Sequence, residues 1–168
     1  MVTPSIEELK KNFPSFGKIE WIGLRNSKDK AIIEVQFAEL LAGRGLVGDK
    51  SGHRQGSKRQ ITLFQAEHLA VIASFLKRDE LLPVDLRRNI VVSGINLSIL
   101  KGHRIQLNNS VAEITGNCAP CKKMEHVLGL GGYNAMRNHS GVTATVKKGG
   151  VINLGDCVKV LLNPNAHT

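Results

Sequence analysis

Two cysteines three positions apart, Cys118 and Cys121, enclose Ala119-Pro120, and about thirty residues earlier two arginines stand side by side in Asp85-Leu86-Arg87-Arg88-Asn89-Ile90. A thiolate is a soft ligand for a transition metal and an acceptor for sulfur. A guanidinium is a planar fork of donors that matches phosphate oxygens. Together these residue types suit a protein that holds an anionic cofactor close to a sulfur atom. The arginine pair has a plainer reading as well, a solvated surface with a salt bridge to Asp85.

The Cys-x-x-Cys pair admits four chemistries. Structural zinc takes four ligands, and this chain adds only His126 and His139 at irregular distance. A thioredoxin-like dithiol has this spacing ahead of a helix, but its surroundings should alternate strand and helix, and here they are mostly strand-like. Ordinary buried thiols are a third reading. In the fourth, one thiolate is a metal ligand or sulfur acceptor held where a strand meets a helix, with Lys122 and Lys123 adding positive charge beside Cys121.

The elements that must position these groups are mainly strands. Residues 18–23, 31–37 and 60–64 alternate apolar and polar side chains. Residues 65–76 turn helical, with Ala66, Leu69, Ala70, Ala73 and Leu76 on one face. Residues 90–92 form a buried strand that stops at Ser93-Gly94, and 122–128 a short helix followed by a loop over 129–132. Residues 101–107 are echoed by 148–154, each followed by a strand, over 111–115 and 158–162. These predict two strand-turn-strand units, with turns at Asn108-Asn109 and Gly155-Asp156. The 17 glycines supply corners for a small, strongly bent sheet, so the expected fold is mainly β, a compact barrel with a few flanking helices. One domain is expected over residues 1–168, with a core from about 17 to 162 and loose ends at the first dozen residues and 163–168.

Composition narrows the function classes. With 168 residues and 42% hydrophobic content the chain can bury one sizeable core, and its apolar runs are too short to span a membrane. The acidic start at Glu7-Glu8 does not have the layout of a secretory signal, and three cysteines cannot all pair, so a cytoplasmic protein with reduced thiols is expected. The net charge of +9 raises nucleic-acid binding as a function. That charge is dispersed in doublets such as Lys10-Lys11 and Lys147-Lys148, and one Trp, one Tyr and five Phe are too few for base-stacking platforms. A small anionic ligand accounts for the local clusters equally well.

In order and spacing, several segments resemble the MOSC domain, the family named for the C-terminal part of molybdenum cofactor sulfurases and also found as small bacterial proteins. They are Gly45-Leu46-Val47-Gly48-Asp49 with His53, Arg59-Gln60-Ile61-Thr62-Leu63 with Glu67, residues 85–97, and the closing Cys-x-x-Cys. The resemblance runs from about residue 17 to 162. It implies a MOSC-type β-barrel that binds the pyranopterin molybdenum cofactor, with Cys121 holding sulfur or coordinating the metal. It places pterin and phosphate contacts on Arg59, Arg87, Arg88 and Asn89, with Asp49 and His53 on a neighbouring loop. Cys118 then serves as a supporting thiol or packs. Two activities follow: an oxidoreductase that reduces N-hydroxylated compounds with electrons from a reductase partner, or a carrier that presents sulfur or cofactor to a molybdenum enzyme. The chain has no pyridoxal-phosphate lysine setting, so it does not itself mobilise sulfur, and it lacks the cysteines for an iron-sulfur cluster, so a redox activity would take its electrons from elsewhere.

Overall fold

A computed structural model describes residues 3–13, 16–28, 30–53 and 55–165, with His53 described in its backbone only. Eleven strands and four α-helices follow in the order α1 (Ile6–Leu9), β1 (Gly17–Leu24), β2 (Ile33–Glu34), β3 (Phe37–Leu41), β4 (Gly45–Leu46), β5 (Ile61–Gln65), α2 (Glu67–Phe75), β6 (Ile90–Ser93), β7 (Arg104–Leu107), β8 (Ser110–Asn117), α3 (Lys122–Leu128), α4 (Gly132–Met136), β9 (Val142–Lys148), β10 (Gly150–Asn153) and β11 (Cys157–Leu161).

Seven strands close a barrel in the order β1-β6-β5-β9-β8-β7-β11, and β11 returns to β1 through Gly17↔Val158 and Lys18↔Cys157. An odd number of strands cannot close with every neighbour antiparallel. The pair that breaks the alternation is β5–β6, which is parallel, with Leu63 opposite Ile90. Parallel neighbours need a crossover, and α2 supplies it between the two strands. Beside the barrel, β10, β3 and β4 form a separate three-stranded sheet.

Two apolar clusters divide the interior. The first fills the barrel with Ile19, Ile22, Ile61, Leu63, Ile90, Val92, Ile105, Leu107, Ile114 and Val158 among others. The second lies between the barrel wall and the helices, where Trp21, Phe64 and Val91 meet Ile72, Leu86, Met124, Leu128 and Met136. Strand β5 contributes to both clusters, and its first four residues are all buried, the signature of a strand covered on two faces. In β1 a register shift between Ile19 and Trp21 lets Ile19 and Ile22 both enter the barrel while Trp21 faces the helices.

The expected strands over 18–23, 60–64, 90–92 and 158–162 and the helix over 65–76 are present with small changes of boundary. Three expectations are corrected. The strand expected over 31–37 is two pieces, because β2 pairs with the end of β1 while β3 belongs to the second sheet. The two C-terminal repeats are not equivalent. Strands β7 and β8 make a hairpin around Asn108, which takes a left-handed conformation (φ 53), whereas β10 leaves β11 and pairs with β3. Within β10 only Ile152 is buried, so this strand covers the barrel flank rather than entering its wall. The N-terminal dozen residues contain α1, closed by a capping box in which Ser5 and Glu8 satisfy each other's amides. Asn163 is also tied down, its amide donating to His103 Nδ1 at 3.1 Å and its side chain to the Gly102 carbonyl.

Helix α2 meets the segment after α4 through a ring stack in which His68 packs edge-on against Phe64 and against His139, and His139 against Phe75. Burial, with the charge of the neighbouring His139, lowers the His68 pKa below the ordinary 6.5, while a hydrogen bond with the His139 backbone and, less, Glu67 oppose the shift. A histidine depressed in the fold is neutral there while the unfolded chain still takes up a proton. The stability it contributes is complete above 6.5 and is lost as pH falls from there through the lowered value. Melting temperatures should therefore drop between about pH 7.5 and 5.5, and His68→Phe should flatten that decline; an unchanged slope in the variant counts against this origin.

Candidate functional site

The loop before β5, the end of β1 and the start of β6 meet around a cleft of about 560 Å³ at one end of the barrel. Five cations line it, Arg25, Lys28, Lys50, Arg59 and Arg87, against one carboxylate, Asp49. Asp49 is buried and fully engaged. One oxygen accepts the Arg25 amide at 2.9 Å and the other accepts the Ser51 amide at 2.9 Å and the Ser51 hydroxyl. Its charge therefore sits at backbone amides, and it makes no ion pair with the five cations among the described residues.

Arg25 is the residue the sequence reading missed. Its Nε and Nη1 are buried and without a hydrogen-bond partner among the described residues. Burial lowers its pKa, and Arg87, Arg59 and Arg88 push the same way against the pull of Asp49. Lys50 is lowered by burial and by Arg25 and Arg87. Like charges crowded into a partly dry cleft with idle donors are unfavourable on their own, and an anion relieves both costs.

The two adjacent arginines part company. The 3-10 turn Pro83–Leu86 ends at Arg87 in the left-handed region (φ 57, ψ 36), a conformation a non-glycine residue adopts at a cost. Arg87 lines the cleft and donates from Nη2 to the Lys28 carbonyl at 3.2 Å. Arg88 is only 4% exposed, and its guanidinium donates to the carbonyls of Ser140 (2.9 Å), Leu86 (3.2 Å) and Cys118 (3.4 Å). Its place is beneath the cysteine segment, away from the cleft lining. The salt bridge to Asp85 considered for this pair does not form, because the Asp85 carboxylate accepts the Leu82 amide.

Asn89 lines the cleft but is occupied: its Oδ1 accepts from the Thr62 amide and hydroxyl, and its Nδ2 donates to the Gly23 carbonyl. It stitches β1, β5 and β6 at the cleft floor. Arg59 is exposed, and its guanidinium has no partner among the described residues. The His53 side chain lies outside what is described.

Cys118 is buried and Cys121 exposed, and both are free thiols. Strand β8 delivers Cys118, whose amide donates to the Gly141 carbonyl at 2.9 Å and whose carbonyl meets Arg88. Gly141 must be glycine: its φ is +82, and a Cβ there would overlap the Leu63 carbonyl oxygen. Cys121 begins α3 in an extended conformation, and its carbonyl accepts the Met124 amide. Its sulfur is close enough to affect Arg88 electrostatically, and Lys123 similarly affects Lys50 on the cleft wall. Cys121 is thus an exposed thiol at the end of the segment that Arg88 holds, and it is not among the residues that line the cleft. Among the described residues no three His, Cys, Asp or Glu side chains converge to hold a metal ion, and no helix is long and apolar enough to cross a membrane.

The MOSC domain model matches residues 50–159, and the chain belongs to that family. The fold is shared with the YuaD protein of Bacillus subtilis (TM-score 0.76, 21% identity, covering 87% of this chain and 96% of that one). It is shared also with YiiM from Escherichia coli (0.71, 17%, 92% and 74%) and YiiM from Geobacillus stearothermophilus (0.69, 15%, 87% and 75%). No curated protein matches the chain by sequence.

Proposed function

We propose that this protein binds the pyranopterin molybdenum cofactor, with its phosphate in the cationic cleft and Cys121 as the protein's sulfur ligand. MOSC domains are associated with that cofactor. The observation that carries the reading is the pair of idle, buried Arg25 nitrogens among five cations, a cradle of donors without an acceptor. The donor set also fits. Among the described residues no group of three His, Cys, Asp or Glu side chains forms at Cys121, so a metal held there needs ligands of its own, as molybdenum has on a pyranopterin.

Bound, the cofactor would supply two-electron redox chemistry at the metal. The chain's own residues divide the remaining work. Arg25, Arg59 and Arg87 neutralise and orient the phosphate through charge-assisted hydrogen bonds. Asp49 fixes the Arg25 backbone, and Asn89 holds the cleft floor. Arg88 anchors the segment that presents Cys121. Reduction of an N-hydroxylated compound with electrons from a separate reductase is the activity this arrangement would serve. The exposure of Cys121 favours a second reading, a carrier that presents sulfur or cofactor to another protein.

The test is pterin content after purification from cells that make the cofactor. Wild type should carry pterin, and Arg25→Gln should lose about tenfold in retention, the effect of one charge-assisted contact to phosphate. Inorganic pyrophosphate should compete with the cofactor, and less effectively as salt rises. A wild-type protein that neither retains pterin nor binds pyrophosphate overturns the proposal.

A further inference from the structure

A second cavity, of about 410 Å³, lies against the residues just before Cys121, with Cys118, Ala119 and Pro120 forming part of its wall. It shares no lining residue with the cationic cleft. Arg88 divides the two: its chain neighbours Arg87 and Asn89 line the cleft, while its guanidinium is bonded to carbonyls of Cys118 and Ser140, which line the cavity.

The chemistry of this cavity differs from that of the cleft. Leu97, Ala119, Pro120 and Val142 give it apolar walls, and Arg137 is its one charged residue, with no Asp or Glu in the lining. Arg137 is exposed, and among the described residues its guanidinium makes one hydrogen bond, a marginal 3.5 Å to the Asn134 side chain. The polar remainder includes Tyr133, Asn117 and His68, whose Nδ1 is buried without a hydrogen-bond partner among the described residues. The size is that of a small-molecule site. A doubly charged phosphate would find a single cation here, whereas five stand in the cleft. One guanidinium among apolar walls matches one negative charge on an apolar body.

We infer that this cavity is a second ligand site, separate from the cationic cleft, that takes a small organic carboxylate, with Arg137 bonding the carboxylate and the walls enclosing its apolar part. The depressed His68 pKa agrees, since a neutral ring adds no second charge to the site. The site adjoins the segment that carries Cys121 but does not depend on a bound cofactor.

Benzoate is a suitable probe, with benzamide as its uncharged counterpart. By calorimetry on the full chain, benzoate should bind with a Kd on the order of 1 mM, and benzamide about tenfold more weakly or worse. It should shift the His68 ring resonances in NMR spectra. Arg137→Gln should weaken benzoate about tenfold while leaving pyrophosphate binding at the cleft unchanged. Equal affinity for benzoate and benzamide, an Arg137→Gln variant that binds benzoate normally, or displacement of benzoate by pyrophosphate would each overturn the inference. So would no binding up to about 10 mM. Because pyrophosphate reads the cleft and benzoate the cavity, either site can fail without the other.

Discussion

Cys121→Ala, expressed in cells that make molybdenum cofactor and purified without oxygen, should contain at most about one hundredth of the wild-type molybdenum, a loss of roughly 2.7 kcal/mol in retention. The size follows from the donor set. Cys121 is the exposed free thiol of the Cys-x-x-Cys segment, and no cluster of alternative protein ligands stands in for it among the described residues. Removing a soft sulfur donor therefore leaves the metal without an anchor on the protein, while the phosphate cradle of Arg25, Arg59 and Arg87 is untouched. Pyrophosphate affinity should accordingly stay at the wild-type value in this variant. Cys118→Ala makes the opposite case. Its sulfur is buried at 1% exposure, and deleting it should cost about 1 kcal/mol of stability from lost packing but leave molybdenum in place. Full molybdenum in Cys121→Ala, or its disappearance from Cys118→Ala with the fold intact, would reassign the ligand.

Much of this site could be read from residue types and order, and the part that could not has a common physical cause. Strands with clean alternation between turns were legible, as was the Asn108-Asn109 hairpin. Strand β9 was missed although Val142, Ala144 and Val146 alternate inward against Thr143 and Thr145, and it is central, pairing with both β5 and β8. The cationic cleft was legible only in part. Arg59 and Arg87 sit within recognisable segments, but Arg25 stands alone in sequence, and its backbone bonds to the Asp49 carboxylate, across 24 residues, and to the Lys50 amide bring it to the cleft. Such contacts are set where the end of β1 meets the loop after β4, which leaves no local pattern. The fates of Arg87 and Arg88 illustrate the same limit. Neighbours in sequence, they diverge because Arg87 takes a left-handed conformation at the end of a 3-10 turn, and the next residue is carried inward. Nothing in Arg-Arg specifies which one turns.

Arg88 is consequently the position where one substitution should cost the fold most. Its guanidinium satisfies three carbonyls, those of Ser140, Leu86 and Cys118, and the residue itself is buried. Replacing a buried charge by an apolar side chain of similar length is often neutral when its partner is replaced too. Here the partners are backbone carbonyls, which remain, and a buried acceptor left without a donor costs about 1–3 kcal/mol. Relief of the desolvated charge offsets part of this, so Arg88→Met should lose about 3 kcal/mol, seen as a lower urea midpoint at unchanged slope and a melting point lower by about 10 °C. Lysine keeps the charge but cannot reach three carbonyls in one plane, and Arg88→Lys should fall between. A purely local loss would end there. Because the Cys118 carbonyl is one of the three acceptors, releasing it should also loosen the segment leading to Cys121, so that native-state alkylation reaches Cys118, which the wild-type fold shields. Mass spectrometry separates that site from the exposed Cys121 and Cys157. An Arg88→Met protein with wild-type stability, or one destabilised while Cys118 stays protected in the native state, would show that the cysteine segment is held by something other than this guanidinium.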